Sequence, residues 1–275
     1  MDAVDFVLVN GDSLGGGRTY YPLVYGWTST GDYPIEWAEG DTILGDGGLG
    51  PYTMGPNDVV RVWDTQLLHG TTYYFSVLPI SGDADLGVGL YSPSTGDYQD
   101  RFDAAEEEYY TGGGEPEFLH YTAGTTGYHG LVVWNSAATT ATQFAVYRDT
   151  TGPICSFQIN NGSQYTNDPN VTLNASASDP ETGLYQMLYF NGEYSGHQPY
   201  SPSYPWTLSA GDGTKTLYGG FQNHASMWSH YLEGDCLATI ILDQTEPQSS
   251  ISSVPDLVTS APVSIPWTAS DSLSG

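Results

Sequence analysis

Positive charge is what this chain has least of. Lysine and arginine together number five, against 32 aspartates and glutamates, and the formal net charge is −27. A surface of that sign repels phosphate backbones, which excludes nucleic acid as a partner, and it disfavours anionic membranes. It favours divalent cations, saline surroundings or plain solubility. Charged residues of both signs make up 13 % of the chain, against roughly 25 % in ordinary domains. Long apolar runs are missing too: none approaches the roughly 18 residues of a membrane span, so no membrane insertion is expected. Cysteine is limited to Cys155 and Cys236, without the paired Cys-x-x-Cys spacing of a zinc site. The six histidines, 69, 120, 129, 197, 224 and 230, never fall at H-x-x-x-H or H-E-x-x-H spacing. What fills the chain instead is glycine (34), tyrosine (22), serine and threonine, poor helix material and good strand-and-turn material.

The 275 residues, 39 % of them hydrophobic, are enough for about two packed domains. A self-similar period organises them. Asp149-Thr150-Thr151-Gly152-Pro153 returns as Asp243-Gln244-Thr245-Glu246-Pro247 about 94 residues later, close to the roughly 100 residues of one immunoglobulin-type sandwich. The segments downstream of the two copies match as well. Val171 to Asp179 and Gly183 come after the first, and Val263 to Asp271 and Gly275 come after the second. Such self-similarity marks an array of modules. The expected division is 1–149, 150–245 and 246–275. The opening residues Met1-Asp2 lack the pattern of a secretory leader; the expectation is an excerpt of a longer chain, or an added start.

Strand patterning, aromatic and β-branched residues between polar neighbours, falls at Phe6–Asn10, Tyr20–Trp27, Val59–Trp63, Thr72–Leu78, Val88–Ser92, Phe118–Thr122, Gly130–Asn135 and Thr142–Arg148. Turns fall at Gly45-Asp46-Gly47-Gly48, Ser81-Gly82-Asp83 and Gly112-Gly113-Gly114. The one helix-permissive stretch, Asp103–Tyr110, is too short to stand alone. The second segment places strands near Ser156–Asn160, Val171–Ser178, Tyr185–Asn191, Trp206–Ser209, Lys215–Phe221 and Leu237–Leu242. The fold class is therefore all-β: a jelly-roll-like β-sandwich, then an immunoglobulin-like β-sandwich, then the first two strands of another.

Two resemblances run along the chain. Val59 to Asp64, Gly70 to Phe75, Gly82-Asp83-Ala84-Asp85-Leu86, Leu90-Tyr91, Glu117 to Ala123 and Gly127 to Val133 resemble a bacterial pre-peptidase C-terminal domain. The likeness is good over 56–149 and loose over 1–55. It implies a non-catalytic sandwich of the kind appended to secreted enzymes or strung along surface proteins. Gly87 stands where that family often carries a second acid, which argues against a metal role for the Asp83–Asp85 loop. The second segment is similar to the bacterial immunoglobulin-like repeats of large secreted and cell-surface proteins. The residues that carry this are Asn160-Asn161-Gly162, Tyr165-Thr166-Asn167, Trp206 to Lys215 and Ile240 to Asp243.

In an immunoglobulin-like sandwich the first and last strands can lie side by side and parallel. Cys155 and Cys236 sit at the starts of those strands, so a disulfide is expected, with two buried free thiols as the alternative. Asp149, entering the sandwich, should lie near the loop Asp179-Pro180-Glu181-Thr182-Gly183, and Asp243 and Asp271 repeat the pattern. Carboxylates so grouped suit calcium, a hard cation, which would stiffen the linker. The alternative is that these acids cap turns through their own backbone.

Gly11-Asp12-Ser13-Leu14-Gly15 spells the signature of a lipase and esterase family, and Gly55-Pro56-Asn57-Asp58 matches its later block. A Ser nucleophile needs a His base held by an acid, and no His here has Asp three residues before it; His120 has Glu117 instead. Glycine and another strand follow Ser13 rather than the helix the motif requires, so no enzyme is expected. Tyr20, Tyr21, Tyr25 and Trp27 could stack on sugars, so glycans remain possible ligands. The first reading is a non-enzymatic extracellular structural or adhesive protein, on a cell surface or in a filament, with copies of itself (head to tail, by strand addition) or other surface proteins as partners. Residues 246–275 would then be donated to a neighbour, or simply truncated. The alternatives are the non-catalytic C-terminal region of a secreted hydrolase such as a protease, or a carbohydrate-binding module.

Overall fold

The computed structural model describes residues 42–58, 60–91, 112–229, 236–252, 262 and 264–273. The expectations for Phe6–Asn10, Tyr20–Trp27, Ser13 and Asp103–Tyr110 lie outside them. The chain divides into two compact units: Met1–Gly152 with Asp179–Gly183 and Asn223–Met227, and Pro153–Ser178 with Leu184–Gln222 and Trp228–Gly275. The described regular structure is strand throughout, apart from one short 3-10 turn.

The first unit holds β1 (Gly47–Met54), β2 (Val60–Leu67), β3 (Thr72–Ser81), β4 (Asp85–Tyr91), β5 (Glu117–Thr122), β6 (Gly127–Ala137) and β7 (Thr142–Asp149). They form two sheets, ordered β1-β7-β3-β5 and β2-β6-β4, with antiparallel pairing throughout. Alternation does the folding: Trp63, Thr65 and Leu67 turn inward from β2 while Asp64 and Gln66 face out. Trp63, Phe75, Val88, Leu131 and Phe144 belong to one buried core. Burying such a side chain contributes about 1.5–3 kcal/mol.

Glycine at 87 has a steric cause. Gly87 faces Trp134 across the β4–β6 ladder, and a Cβ there would stand 2.3 Å from the indole. Asp83 is likewise engaged structurally. Its carboxylate accepts the N–H groups of Thr139 and Thr140 and both of their hydroxyls. That clamps the β3–β4 turn to the β6–β7 turn.

Gly47–Met54 corrects the reading of Gly45 to Gly48 as a turn only. Gly48 lies under the Tyr147 ring, where a Cβ would come within 2.4 Å, so the strand needs glycine for its packing.

The second unit holds β8 (Phe157–Ile159), β9 (Tyr165–Thr166), β10 (Asn170–Ala175), β11 (Leu184–Phe190), β12 (Gln198–Pro199), β13 (Ser203–Thr207), β14 (Gly213–Asn223), β15 (Leu237–Leu242), β16 (Gln248–Ile251) and β17 (Trp267–Ser270). Three sheets run β13-β10-β8, β12-β11-β14-β15-β9 and β16-β17. Phe157, Leu173, Met187, Tyr189, Leu217, Phe221 and Ile240 share its core. Between β8 and β9, Asn160 and Asn161 take φ of 47° and 57°, the left-handed region that asparagine tolerates better than most residues. Their placement is then fixed: the Asn160 side chain accepts Thr172 N–H, and Asn161 N–H donates to the Asn174 side chain.

The disulfide Cys155–Cys236 forms, with Cα atoms 5.5 Å apart. Its setting differs from expectation. The parallel neighbour of β15 is β9, through Ile241↔Tyr165, while β8 lies in the other sheet. The first strand has split in two, so the disulfide ties one sheet to the other rather than pinning adjacent strands.

The pair β16–β17 repeats a register already present in this unit. Ser178 faces Ile154 and Ala175 faces Phe157 ahead of Asp179; Ser270 faces Gln248 and Trp267 faces Ile251 ahead of Asp271.

Two outcomes are expected. Cys155→Ser, or reduction of the disulfide, lowers the stability of this unit by about 3–5 kcal/mol, read from urea unfolding with and without reductant. The Thr139 hydroxyl, followed by the Thr140 hydroxyl and N–H, holds Asp83 well below the usual carboxylate range. A depressed folded value means that its stabilisation is present above the unfolded value and is lost as pH falls below about 4. Asp83→Asn therefore lowers stability at neutral pH and flattens its fall in acid, measured by thermal melts from neutral to acid pH.

Candidate metal centre

Among the described residues one group of three or more potential metal-ligating side chains comes together: Asp149, Asp179 and Glu181, each offering an atom within 4.8 Å of the others. All three belong to the first unit. Asp149 ends β7 on the face it shares with Tyr147, opposite the core residues Phe144 and Val146, and it is fully buried there by Thr182 and Asn223. Asp179 and Glu181 lie on the loop after β10; Asp179 is buried and Glu181 exposed. Of the sequence-derived ligand candidates, these three meet. Asp243 and Asp271 join no such group among the described residues. Asp271 accepts Leu273 N–H at 2.9 Å. Asp243 accepts Thr245 N–H at 3.2 Å through Oδ1, while its buried Oδ2 has no partner among the described residues.

Both capping and clustering occur at the centre. Asp149 Oδ1 accepts the N–H groups of Thr150 and Thr151 at 2.7 and 3.0 Å. Asp179 Oδ1 accepts those of Thr182 and Gly183 at 2.8 and 3.1 Å. Two further side chains bridge the carboxylates. The Thr182 hydroxyl lies 2.8 Å from Asp149 Oδ2 and 3.1 Å from Asp179 Oδ1. The Asn223 amide nitrogen lies 3.1 Å from Asp149 Oδ2, 3.0 Å from Asp179 Oδ2 and 3.2 Å from the Thr151 carbonyl. One hydroxyl hydrogen and two amide hydrogens thus face five oxygen contacts, so the centre is rich in acceptors. Asn223 is itself held, its Oδ1 accepting Met227 N–H at 2.8 Å.

An all-oxygen set at this spacing suits a hard cation, since calcium sits about 2.3–2.6 Å from each oxygen; zinc prefers nitrogen and sulfur. Glu181 and Thr182 also line an open depression of about 340 Å³ with Ala145 and Tyr147.

Sequence reasoning missed Thr182, Asn223 and His224 as parts of this site. His224 donates from Nδ1 to the Thr182 carbonyl at 2.8 Å and stacks on Tyr147 at 4.9 Å between centroids. Thr182 stood inside the loop that its acids mark, but its bridging role needs the fold. Nothing local marks Asn223.

Of the hydrolase candidates, Ser13 lies outside the described residues. Gly55–Asp58 forms the turn between β1 and β2, with Gly55 N–H donating to Asp58 at 2.7 Å. His120 stacks on Tyr74 across the β3–β5 pair, 5.8 Å between centroids. Glu117, three residues earlier, is fully buried. No helix among the described residues is long and apolar enough to cross a membrane.

No family model matches the chain, and no curated protein matches it. Among solved structures, the pre-peptidase C-terminal domain of a collagenase from Bacillus anthracis is 13 % identical at TM-score 0.31, covering 43 % of this chain and 100 % of that one. The fibronectin(III)-like modules of CbhA from Clostridium thermocellum are 14 % identical at TM-score 0.31, covering 64 % and 87 %. The adhesin domain of Epf from Streptococcus pyogenes is 12 % identical at TM-score 0.23, covering 66 % and 70 %. Similarity at this level carries no argument about activity or partners.

Asn223→Ala leaves two buried carboxylate oxygens short of a donor. It is expected to destabilise the first unit by about 2–3 kcal/mol, with Asn223→Gln recovering little because the donor is displaced. Urea unfolding of both variants checks this.

Proposed function

We propose that this chain is a non-enzymatic structural or adhesive protein of the extracellular surface, a tandem array of β-sandwiches. The observation that carries this reading is the repeated register: the β16–β17 pairing reproduces that of β8–β10 ahead of the same aspartate. Its work is mechanical. Strand ladders bear load, the Cys155–Cys236 bridge holds two sheets together, and Pro-containing linkers space the modules. Neighbouring copies of the chain are its partners, joined head to tail. The disulfide supports an oxidising compartment, where such bonds persist. Negative-stain imaging tests the array: head-to-tail strings are expected, and ester hydrolysis lost on Ser13→Ala would sink the reading.

The cofactor is calcium, bound by Asp149, Asp179 and Glu181. A buried, acceptor-rich oxygen cluster supports it, in a chain with almost no cations of its own. Added to protein stripped with EDTA, calcium at a hundredfold excess over Kd should stabilise by about 2.7 kcal/mol. Glu181 is exposed, so Glu181→Gln should fold normally yet need more calcium for the same rise in Tm. An unchanged Tm across the titration ends the calcium assignment and leaves the array standing.

A further inference from the structure

Two features of the second unit are left open, and both have closed counterparts elsewhere in the same chain. The first is the β16–β17 ribbon. Ile251 and Trp267 face each other across it and so share one face, and Ile265, just ahead of β17, stands in the repeat where buried Leu173 stands in β10. The other face is polar, with a Ser250–Thr268 hydroxyl contact of 3.0 Å. Phe157, the counterpart of Ile251, is 6 % exposed under the core it shares with β11, β14 and β15. Ile251, Ile265 and Trp267 are 63 %, 49 % and 68 % exposed.

The second is the Asp243 carboxylate. In the repeat it stands where Asp149 stands, and its Oδ1 does the same work, accepting Thr245 N–H as Asp149 Oδ1 accepts Thr151 N–H. Asp149 Oδ2 takes the hydroxyl of Thr182, on the loop after β10, and the amide of Asn223, at the end of β14. Asp243 Oδ2 takes nothing among the described residues, although the residue is 7 % exposed and that oxygen is buried. Buried carboxylate oxygens are rarely left so.

We propose that the Ile251–Ile265–Trp267 face and Asp243 Oδ2 are two attachment points for one partner: the sheet of a further immunoglobulin-like repeat, contiguous with this ribbon. The closed copy defines the partner's chemistry. It is a sheet of the β11–β14–β15 kind with an apolar inner face, carrying an asparagine where Asn223 ends β14. Its apolar face covers Ile251, Ile265 and Trp267, and its asparagine amide reaches Asp243 Oδ2. The Asp-x-Thr-x-Pro motif is then a latch used once per module. This rests on the tandem-array reading.

The chain supplies its own probe. Its residues 184–245 are appended after Gly275, where Leu184 follows Gly183 in the closed copy. Hydrogen exchange is then read in peptides 246–252 and 264–273. Protection there is expected to rise on the order of 100-fold over the 275-residue chain. Asp243→Asn, or alanine at the appended copy of Asn223, should each remove most of that gain, and the double change should cost no more than either alone. A ribbon that exchanges equally fast in both chains, while peptides around Cys155 and Cys236 stay protected, overturns the proposal. So does protection with no response to Asp243→Asn. Should the longer chain misfold, the 275-residue chain still decides: ribbon protection that grows with protein concentration means a second copy covers the face, and the contiguous partner is wrong. Strings seen by imaging together with an unresponsive ribbon would keep the array and discard the latch.

Discussion

Five basic residues cannot neutralise 32 acids, and that shortage decides how carboxylates are held here. Hydroxyls and amides do what cations do elsewhere. Asp83 is gripped by Thr139 and Thr140, and Asp212 by Thr245 and Gln244. Asp149 and Asp179 share Thr182 and Asn223. A neutral donor costs less to bury than a second charge, because no ammonium or guanidinium need be desolvated with it. Arg148 shows the other solution. Its buried guanidinium holds Asp46 at 2.9 Å, Thr65 at 2.8 Å and the Gln66 carbonyl at 3.0 Å, and it lies over the Tyr73 ring.

Much of the strand order was legible in the residues. Leu237–Leu242 is a strand over the bounds its apolar run marks, and Thr72, Glu117 and Thr142 open strands within a residue of where the alternation starts. Those segments alternate aromatic and β-branched residues with polar ones, so local preference and burial agree. The strands that escaped notice had no such agreement. Residues 47–54 read as glycine and proline, and only Tyr147 on the neighbouring strand explains why Gly48 belongs there. Tyr165–Thr166 and Gln198–Pro199 are two residues each, too short for a period to show.

The same division separates the parts of the acidic centre. Asp149 and the loop Asp179–Gly183 could be brought together from sequence because each sits at a fixed place in a repeat. Asn223 could not, since its role depends on where the end of β14 falls in three dimensions, and no charge or spacing announces it. The disulfide was legible as a pairing but not as a geometry. Splitting the first strand into β8 and β9 needs the left-handed turn at Asn160–Asn161, and the motif that encodes that turn was visible only as a family sign.

Clamps built from neutral donors also respond to ionic strength differently from salt bridges. Salt screens the repulsion among the acids of a chain carrying −27, since the Debye length falls to about 3 Å at 1 M. It does little to a buried hydroxyl–carboxylate contact of 2.8 Å such as Thr182–Asp149. Raising salt therefore removes the main electrostatic cost of this composition while leaving such contacts in place. A chain stabilised by surface ion pairs would lose part of its support under the same change. Scarcity of cations is thus consistent with the way the turns at Asp83 and Asp212 are held, by neutral donors whose bonds do not weaken when the solvent supplies counter-charge.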